Sequence, residues 1–447
     1  MTSTLPTSTE LSPRDVLDEL SRHILVDGYH VVMDLEKSRG SYLWDARSDR
    51  PLLDFYTNFA TSPVGYNHPK LLDAEFRERL LRAAIGKPAN SDIYTADYAR
   101  FVRAFAKMAA PPTHPHLFFV EGGAMAVENA LKTAFDWKVR KNFARGEKRE
   151  VGSQILHFQN AFHGRSGYTL SLTNTADPRK TQYFPKFPWP RLTCPRLAFP
   201  VTPEIEREVA AAEDQVEREI RKACADSPGD VAALILEPIQ GEGGDNHFRP
   251  EFFRRLRKLA DELEFLLIFD EVQTGVGLTG SMWAWQQFGV EPDLFVFGKK
   301  TQVCGFASTR RIDDVENVFR VSSRINSTWG GSLSDMVRCE RYLEIIDAEK
   351  LVENARVVGE HLLAGLSGLA RDLPGVVTNV RGRGLFTALD LPDKETRDRT
   401  LGACIENGLI ALASGVRAIR FRPALTLTRE EAEEGVRKLR RAIAAAR

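Results

Sequence analysis

Residues 265–269 set five apolar side chains in a row, Phe-Leu-Leu-Ile-Phe, directly ahead of Asp270. A strand without polar alternation is covered on both faces, as strands of a parallel sheet lying between two helix layers are. A similar run, 231–236, comes before it with a helical stretch over 252–264 between them, and a third, 293–297, comes after. Ligands of open α/β sheets sit at the carboxyl ends of the strands. Asp270 falls at one such end, and Lys299 falls 29 positions later, just beyond the next. A carboxylate and a lysine on adjacent strand ends suit a ligand that has a basic nitrogen and an aldehyde, and pyridoxal phosphate has both. Ordinary polar strand ends would look the same in isolation, so the rest of the chain must decide.

Strands and helices alternate from about 115 to 310, the pattern of a largely parallel sheet with helices on both faces. The strand 117–120 runs into Glu121-Gly-Gly-Ala124, and a helix follows at once. Strand, glycines and helix point free N–H groups and the positive helix end at a phosphate. The spacing is neither a phosphate-binding loop of the G-x-x-x-x-G-K-[ST] kind nor a dinucleotide fingerprint, so it suits one phosphate, although such a turn is often only a turn. A strand over 154–158 leads to Ala161-Phe-His-Gly-Arg165, where Phe162 or His163 can stack on a planar ring and Arg165 offers a fork for a carboxylate. The strand 231–236 ends in Glu237-Pro-Ile-Gln-Gly-Glu-Gly-Gly244, two carboxylates in a glycine-rich loop.

Outside this block, a helix is expected over 14–24 with Ser12 as its cap, and a hairpin joins 42–44 to 52–55. The stretch 58–69 reads as a long irregular loop, with His68 a hydrogen-bonding residue rather than a ligand. Helices follow around 70–84 and 98–109. Six prolines over 181–203 predict an irregular surface loop, and 204–225 a charged amphipathic helix. The C-terminal part is mainly helical over 334–369, with short strands within 376–390 and at 419–421 and a last helix over 429–446. The expected organisation is an N-terminal segment, 1–65, joining a small domain, a large α/β domain over 66–333, and a small α+β domain over 334–447.

With 43% hydrophobic and 27% charged residues the composition is globular. The 61 Lys and Arg balance 61 Asp and Glu, so no net field draws the chain to nucleic acid or membrane. Five scattered cysteines without a C-x-x-C pair read as free thiols of a reducing compartment, with no metal site. The Ser/Thr-rich residues 1–12 read as a mobile tail. Within them 1–10 show no secretory signal, and no apolar run approaches the roughly 20 residues of a membrane span. The expected location is the cytoplasm.

Ala161-Phe-His-Gly-Arg165, Glu237-Pro-Ile-Gln-Gly-Glu242, Asp270-Glu-Val-Gln-Thr-Gly275 and Gly298-Lys299, in that order, resemble the class III, ornithine-type aminotransferases of pyridoxal-phosphate fold type I. The likeness spans about 42–423. Gly298-Lys-Lys-Thr-Gln-Val-Cys-Gly305 and Asn326-Ser-Thr-Trp-Gly-Gly331 most resemble the members acting on the ε-amine of L-lysine, whereas most of the family has a glycine-rich stretch after its lysine. The fold so implied is a large domain on a mostly parallel, seven-stranded type of sheet plus a smaller α+β domain. The resemblance makes Lys299 the Schiff-base lysine and proton carrier and Asp270 the partner of the pyridine nitrogen. It gives Gln273 the phenolic oxygen, Phe162 the ring face, and Gly123 and Ala124 the phosphate. Thr328 reaches the phosphate from the partner of a homodimer that shares its active sites. Arg165 takes the distal carboxylate of either substrate, and Asn326 is a substrate contact. Glu242 pairs with Arg420 while lysine is bound and releases it to the α-carboxylate of 2-oxoglutarate or L-glutamate. Arg422 lies on the same strand face as Arg420, and the choice between them rests on motif position alone. Ornithine and 4-aminobutyrate are the alternative amines. An aminomutase or epimerase needs no such switch, a regulator needs a nucleic-acid-binding domain, and a dehydrogenase needs the missing fingerprint.

Overall fold

The computed structural model describes residues 11–446; of the tail read over 1–12, residues 1–10 lie outside the described residues. The first helix is only Val16–Ser21, shorter than expected, because it buries no side chain and Asp15 offers it no capping bond. Strands β1 (Met33–Arg39), β2 (Tyr42–Asp45) and β3 (Arg50–Asp54) form an antiparallel meander. The expected hairpin is its second half.

The central sheet has seven strands: β4 (His116–Val120), β5 (Gln154–Phe158), β6 (Arg191–Leu192), β7 (Val231–Leu236), β8 (Leu266–Asp270), β9 (Leu294–Phe297) and β10 (Cys304–Ser308). Their spatial order is β4-β10-β9-β8-β7-β5-β6. From β6 to β9 every pairing is parallel, and β10 runs antiparallel to both β9 and β4. The proline-rich stretch is therefore not wholly irregular. Arg191 and Leu192 pair with His157 and Phe158, at the sheet edge where flanking prolines cost no ladder bond.

The apolar runs behave as two-faced strands should. Leu267 and Phe269 join one buried cluster with Leu234, Leu236, Phe295 and Phe297. Leu266 and Ile268 join another with Ala233, Ile235, Leu294 and Val296. Each large apolar side chain so buried contributes roughly 1.5–3 kcal/mol, so a slip of register by one residue would be opposed on both faces at once.

The C-terminal part holds β11 (Thr378–Arg383), β12 (Phe386–Asp390), β13 (Leu409–Ile410), β14 (Leu412–Ser414) and β15 (Ala418–Phe421). Four of these form a sheet in the order β11-β12-β15-β14, while β13 pairs in parallel with β3 and ties the N-terminal meander to the C-terminal part. The β14–β15 hairpin also reaches the central domain. Gly415 N donates to Glu242 O at 2.9 Å, and Ser414 Oγ donates to Gly241 O at 2.6 Å. That contact brings β15, with Arg420, and Arg422 just beyond its end, to the carboxyl ends of β7 and β8. Among the described residues no helix is long and apolar enough to cross a membrane.

Candidate active site

Asp270 ends β8 with its carboxylate fixed from two sides. Val272 N donates to Oδ1 at 3.1 Å, and His163 Nδ1 lies 2.8 Å from Oδ2. A carboxylate only accepts, so the imidazole donates. His163 is buried and its other nitrogen, Nε2, has no protein partner. In the sequence His163 stands out only as a stacking alternative to Phe162. Its contact with Asp270 spans 107 residues, and no local pattern could have revealed it.

Glu237, at the end of β7, accepts from Phe162 N at 3.0 Å and from Gly241 N at 2.9 Å. Burial pushes its carboxyl up to about 7, with the Asp270 charge adding and His163 opposing. One buried carboxyl thus locks the Phe162 loop to the Gln240–Glu242 turn. Gly122 caps the helix Gly123–Ala144 at φ +91° without any side-chain bond, so the first N–H groups, those of Gly123 and Ala124 included, are left for a ligand. A Cβ built on Gly123 would stand 3.3 Å from Val272 Cγ1, and one on Gly298 3.4 Å from the same atom. Val272 therefore joins the helix start to the turn that carries Lys299.

Lys299 has φ +53°, a strained setting for a lysine, and Gln302 Nε2 holds the turn by donating to Lys299 O at 3.0 Å and to Thr61 O at 2.7 Å. Thr61 follows four consecutive left-handed residues, Thr57–Ala60. Such a run costs of order 1–2 kcal/mol per residue. Asp54 Oδ1 holds it by accepting from Tyr56 N and Thr57 N, as does Thr57 Oγ1 by donating to Arg422 O at 2.6 Å. This is the stretch read as an irregular loop; its strain sits against the Lys299 turn. Lys299 is half-buried as a residue, and burial of its amine, then the Arg420 charge, holds its pKa below the ordinary lysine value against the pull of Asp270. A larger share is then in the neutral, nucleophilic form. Lys300 differs. Its side chain is sealed, burial holds its pKa well below the ordinary value, and Nζ donates to Gln273 O at 2.8 Å. It braces the turn after Asp270.

Gln273 Oε1 accepts from Arg420 Nη1 and Arg422 Nε, both at 3.0 Å. Guanidinium groups only donate, so the amide oxygen must face them, which leaves the NH2 as the donor for a ligand. Gly241 makes room for this amide: a Cβ there would lie 2.4 Å from it. The two arginines separate here. Arg422 is fully buried and committed, with Nη2 2.7 Å from Asp245 Oδ1, its guanidinium carbon 3.3 Å from the Phe386 ring centroid, and burial bringing its pKa down to about 10. Arg420 is 5% exposed, leaves Nε without a partner, and has no carboxylate in ion-pair reach among the described residues. A buried uncompensated guanidinium is costly, so of the two arginines Arg420 is the one with charge left to offer an anion. Arg422→Leu strands the buried Asp245 and should lower stability by about 3–5 kcal/mol, read from urea midpoints. Arg420→Leu breaks no ion pair; an equal loss from it would reverse the assignment.

Glu242 does not meet Arg420 in this structure. Its Oε1 pairs with Lys180 Nζ, and its Oε2 is buried without a partner. The Glu242–Arg420 pair implied for the lysine-bound state is thus not formed in this structure; a lysine from the short turn Pro178–Lys180 supplies the nearer charge. Arg165 is exposed and bonds to no side chain among the described residues. Asn326 and Thr328 are exposed on a segment held by Asn90 and Ser91, where Asn90 N donates to Trp329 O at 3.0 Å and Ser91 Oγ to Thr328 O at 3.3 Å. Among the described residues no hydrogen bond joins their side chains to the cluster above. His68 is a loop hydrogen-bonder: Lys70 N donates to its Nδ1 at 3.3 Å.

The donor set suits pyridoxal phosphate: open helix N–H groups for a phosphate, a clamped carboxylate for a protonated ring nitrogen, an amide NH2 for a phenolic oxygen, and a lysine amine of lowered pKa for an aldehyde. The family described as Aminotransferase class-III matches residues 25–443. An L-lysine-epsilon aminotransferase of Mycobacterium tuberculosis is 52% identical over 434 residues, covering 97% of this chain and 96% of that one. That of Streptomyces clavuligerus is 48% identical over 442 residues, covering 97% and 95%. The solved lysine aminotransferase of M. tuberculosis, in its internal aldimine form, superimposes with a TM-score of 0.95 at 51% identity, covering 98% of this chain and all of that one.

Proposed function

The chain belongs to the class-III aminotransferases, and from that membership we propose that it transfers the ε-amino group of L-lysine to 2-oxoglutarate. The products are L-glutamate and L-2-aminoadipate 6-semialdehyde, which cyclises to a piperideine carboxylate. The observation that carries the substrate is the near-full-length likeness to L-lysine-epsilon aminotransferases.

Pyridoxal 5'-phosphate is the cofactor; when bound it supplies an aldehyde that takes up the amine and a ring that withdraws electrons from the carbon bearing it. The protein's part is to hold and to move protons. Gly123 and Ala124 would hold the phosphate, Phe162 would face the ring, the Gln273 NH2 would donate to the phenolic oxygen, and Asp270, steadied by His163, would favour a proton on the ring nitrogen. Lys299, whose lowered pKa leaves its amine free to accept a proton, would be the base that takes one from the substrate carbon and the acid that gives it back.

Two substrates must share this pocket. In lysine the carboxylate is remote from the reacting amine, so Arg165 receives it, with Asn326 as a further contact, and Arg420 needs a protein anion, Glu242. In glutamate the α-carboxylate adjoins the reacting carbon and takes Arg420 itself. Glu242→Ala should therefore slow the single-turnover reaction with lysine by about tenfold more than that with glutamate, because only the former leaves Arg420 uncompensated. Equal losses would remove Glu242 from substrate choice.

The exposed Thr328 supports a homodimer in which this residue completes the partner's phosphate site. Five free cysteines support a reducing, cytoplasmic location. To test the reading, the holoenzyme is mixed separately with L-lysine, L-ornithine, 4-aminobutyrate and L-glutamate without keto acid. Conversion of the lysine-bound cofactor spectrum to that of the aminated cofactor by lysine and glutamate, with ornithine slow, is expected. Fast conversion by ornithine or 4-aminobutyrate would move the substrate and keep the chemistry.

A further inference from the structure

The pairing of Glu242 with Lys180 is unaccounted for by an exchange between Glu242 and Arg420 alone. The main chain of Glu242 cannot follow a moving partner. Its carbonyl accepts from Gly415 N at 2.9 Å, and the preceding carbonyl accepts from Ser414 Oγ at 2.6 Å. Both donors belong to the hairpin that carries Arg420, so only the Glu242 side chain is free to choose a partner. Its choices are visible as two orphaned atoms. Glu242 Oε2 and Arg420 Nε are both buried without a hydrogen-bond partner, while Glu242 Oε1 is taken by Lys180.

Lys180 is equally free of other commitments. It closes the Pro178–Lys180 turn, whose cap, Asp177, is occupied by Arg179 at 2.9 Å, and Glu242 is its ion-pair partner among the described residues. Its Nζ lies 6.0 Å from the centroid of the Phe162 ring, which puts it beside the cofactor-facing side chain. The side chains of Lys180 and Glu242 retain 27% and 20% exposure, so water screens the pair and makes it easy to break.

We propose that Lys180 is the second seat of the Glu242 carboxylate, a positioning residue that draws it off Arg420 and so sets how readily the site accepts a carboxylate next to the reacting carbon. When glutamate or 2-oxoglutarate claims Arg420, the displaced carboxylate would otherwise be left half-buried and unpaired, and Lys180 neutralises it. With lysine bound, the carboxylate returns to Arg420 and Lys180 faces solvent. The inference rests on the two-substrate reading above and adds a third charge to it.

The test compares single-turnover reactions of the holoenzyme, its Lys180→Met and Lys180→Arg variants, and Lys180→Met made in a Glu242→Gln background. In Lys180→Met the apparent Kd for glutamate should rise by about tenfold, the size of effect of one part-buried charge pair, with the lysine reaction within about twofold of the parent. Lys180→Arg should restore the glutamate value, and in the Glu242→Gln background the methionine should change nothing further. Equal losses for both amines, no change for either, or a glutamate defect that persists without the Glu242 charge would overturn the proposal. A parent holoenzyme that converts neither amine would instead overturn the transaminase reading beneath it.

Discussion

Lys299→Ala should leave a folded protein that loses both half-reactions by about 10,000-fold or more and no longer shows the absorbance of a lysine-bound cofactor. The same substitution at Lys300 should keep that absorbance. The two lysines are neighbours with the same chemistry, and their surroundings separate them. Lys299 is part exposed, set on a strained left-handed residue, and subject to the charges of Asp270 and Arg420. Lys300 is sealed, with its amine spent on the Gln273 carbonyl. On the proposed reaction, removing the Lys299 amine would take away both the nucleophile that anchors the cofactor and the base that carries the proton. Absorbance spectra of the two purified variants check this directly, and loss of the band in Lys300→Ala with retention in Lys299→Ala would transfer the role to the other lysine.

Asp270→Asn should bind cofactor and slow both half-reactions by about 100- to 1,000-fold, the range seen when one preorganised electrostatic contact is removed. Asparagine is nearly the same size and can still meet His163, so the pocket keeps its shape. It has no charge, so it no longer favours the proton on the ring nitrogen, and the ring becomes a poorer electron sink. The loss should fall on the rate of the half-reactions more than on their apparent Kd for lysine or glutamate, since Asp270 contacts neither. Single-turnover rates within about tenfold of the parent would show that the ring nitrogen does not depend on this carboxylate.

Much of this site can be read along the chain, and the reason is local. An apolar run without alternation is a two-faced strand whatever surrounds it, and the residue at its carboxyl end inherits the ligand-facing position, so Asp270 and Lys299 stand out. The Gly122–Gly123 turn is legible because a strand, a positive-φ glycine and a helix are consecutive in sequence. The strand β10 was not legible. Its run Cys-Gly-Phe-Ala-Ser is short and only partly apolar, and it is a strand because β4 and β9 leave a gap between them that it fills.

Local pattern marks five strands of the central sheet, β4, β5, β7, β8 and β9, and the types of group near the site: a carboxylate, a lysine, an amide, a glycine turn and two arginines. Tertiary structure alone decided how those groups are spent. His163 holds Asp270 across 107 residues of chain, Asp245 claims Arg422 across 177, and Lys180 claims Glu242 across 62. Only the meeting of distant segments shows that Arg420 is the arginine left over and that Lys300 is already occupied. Secondary structure follows from patterns a few residues long, whereas the state of a buried charge depends on every group packed around it, and that neighbourhood exists only once the chain has folded.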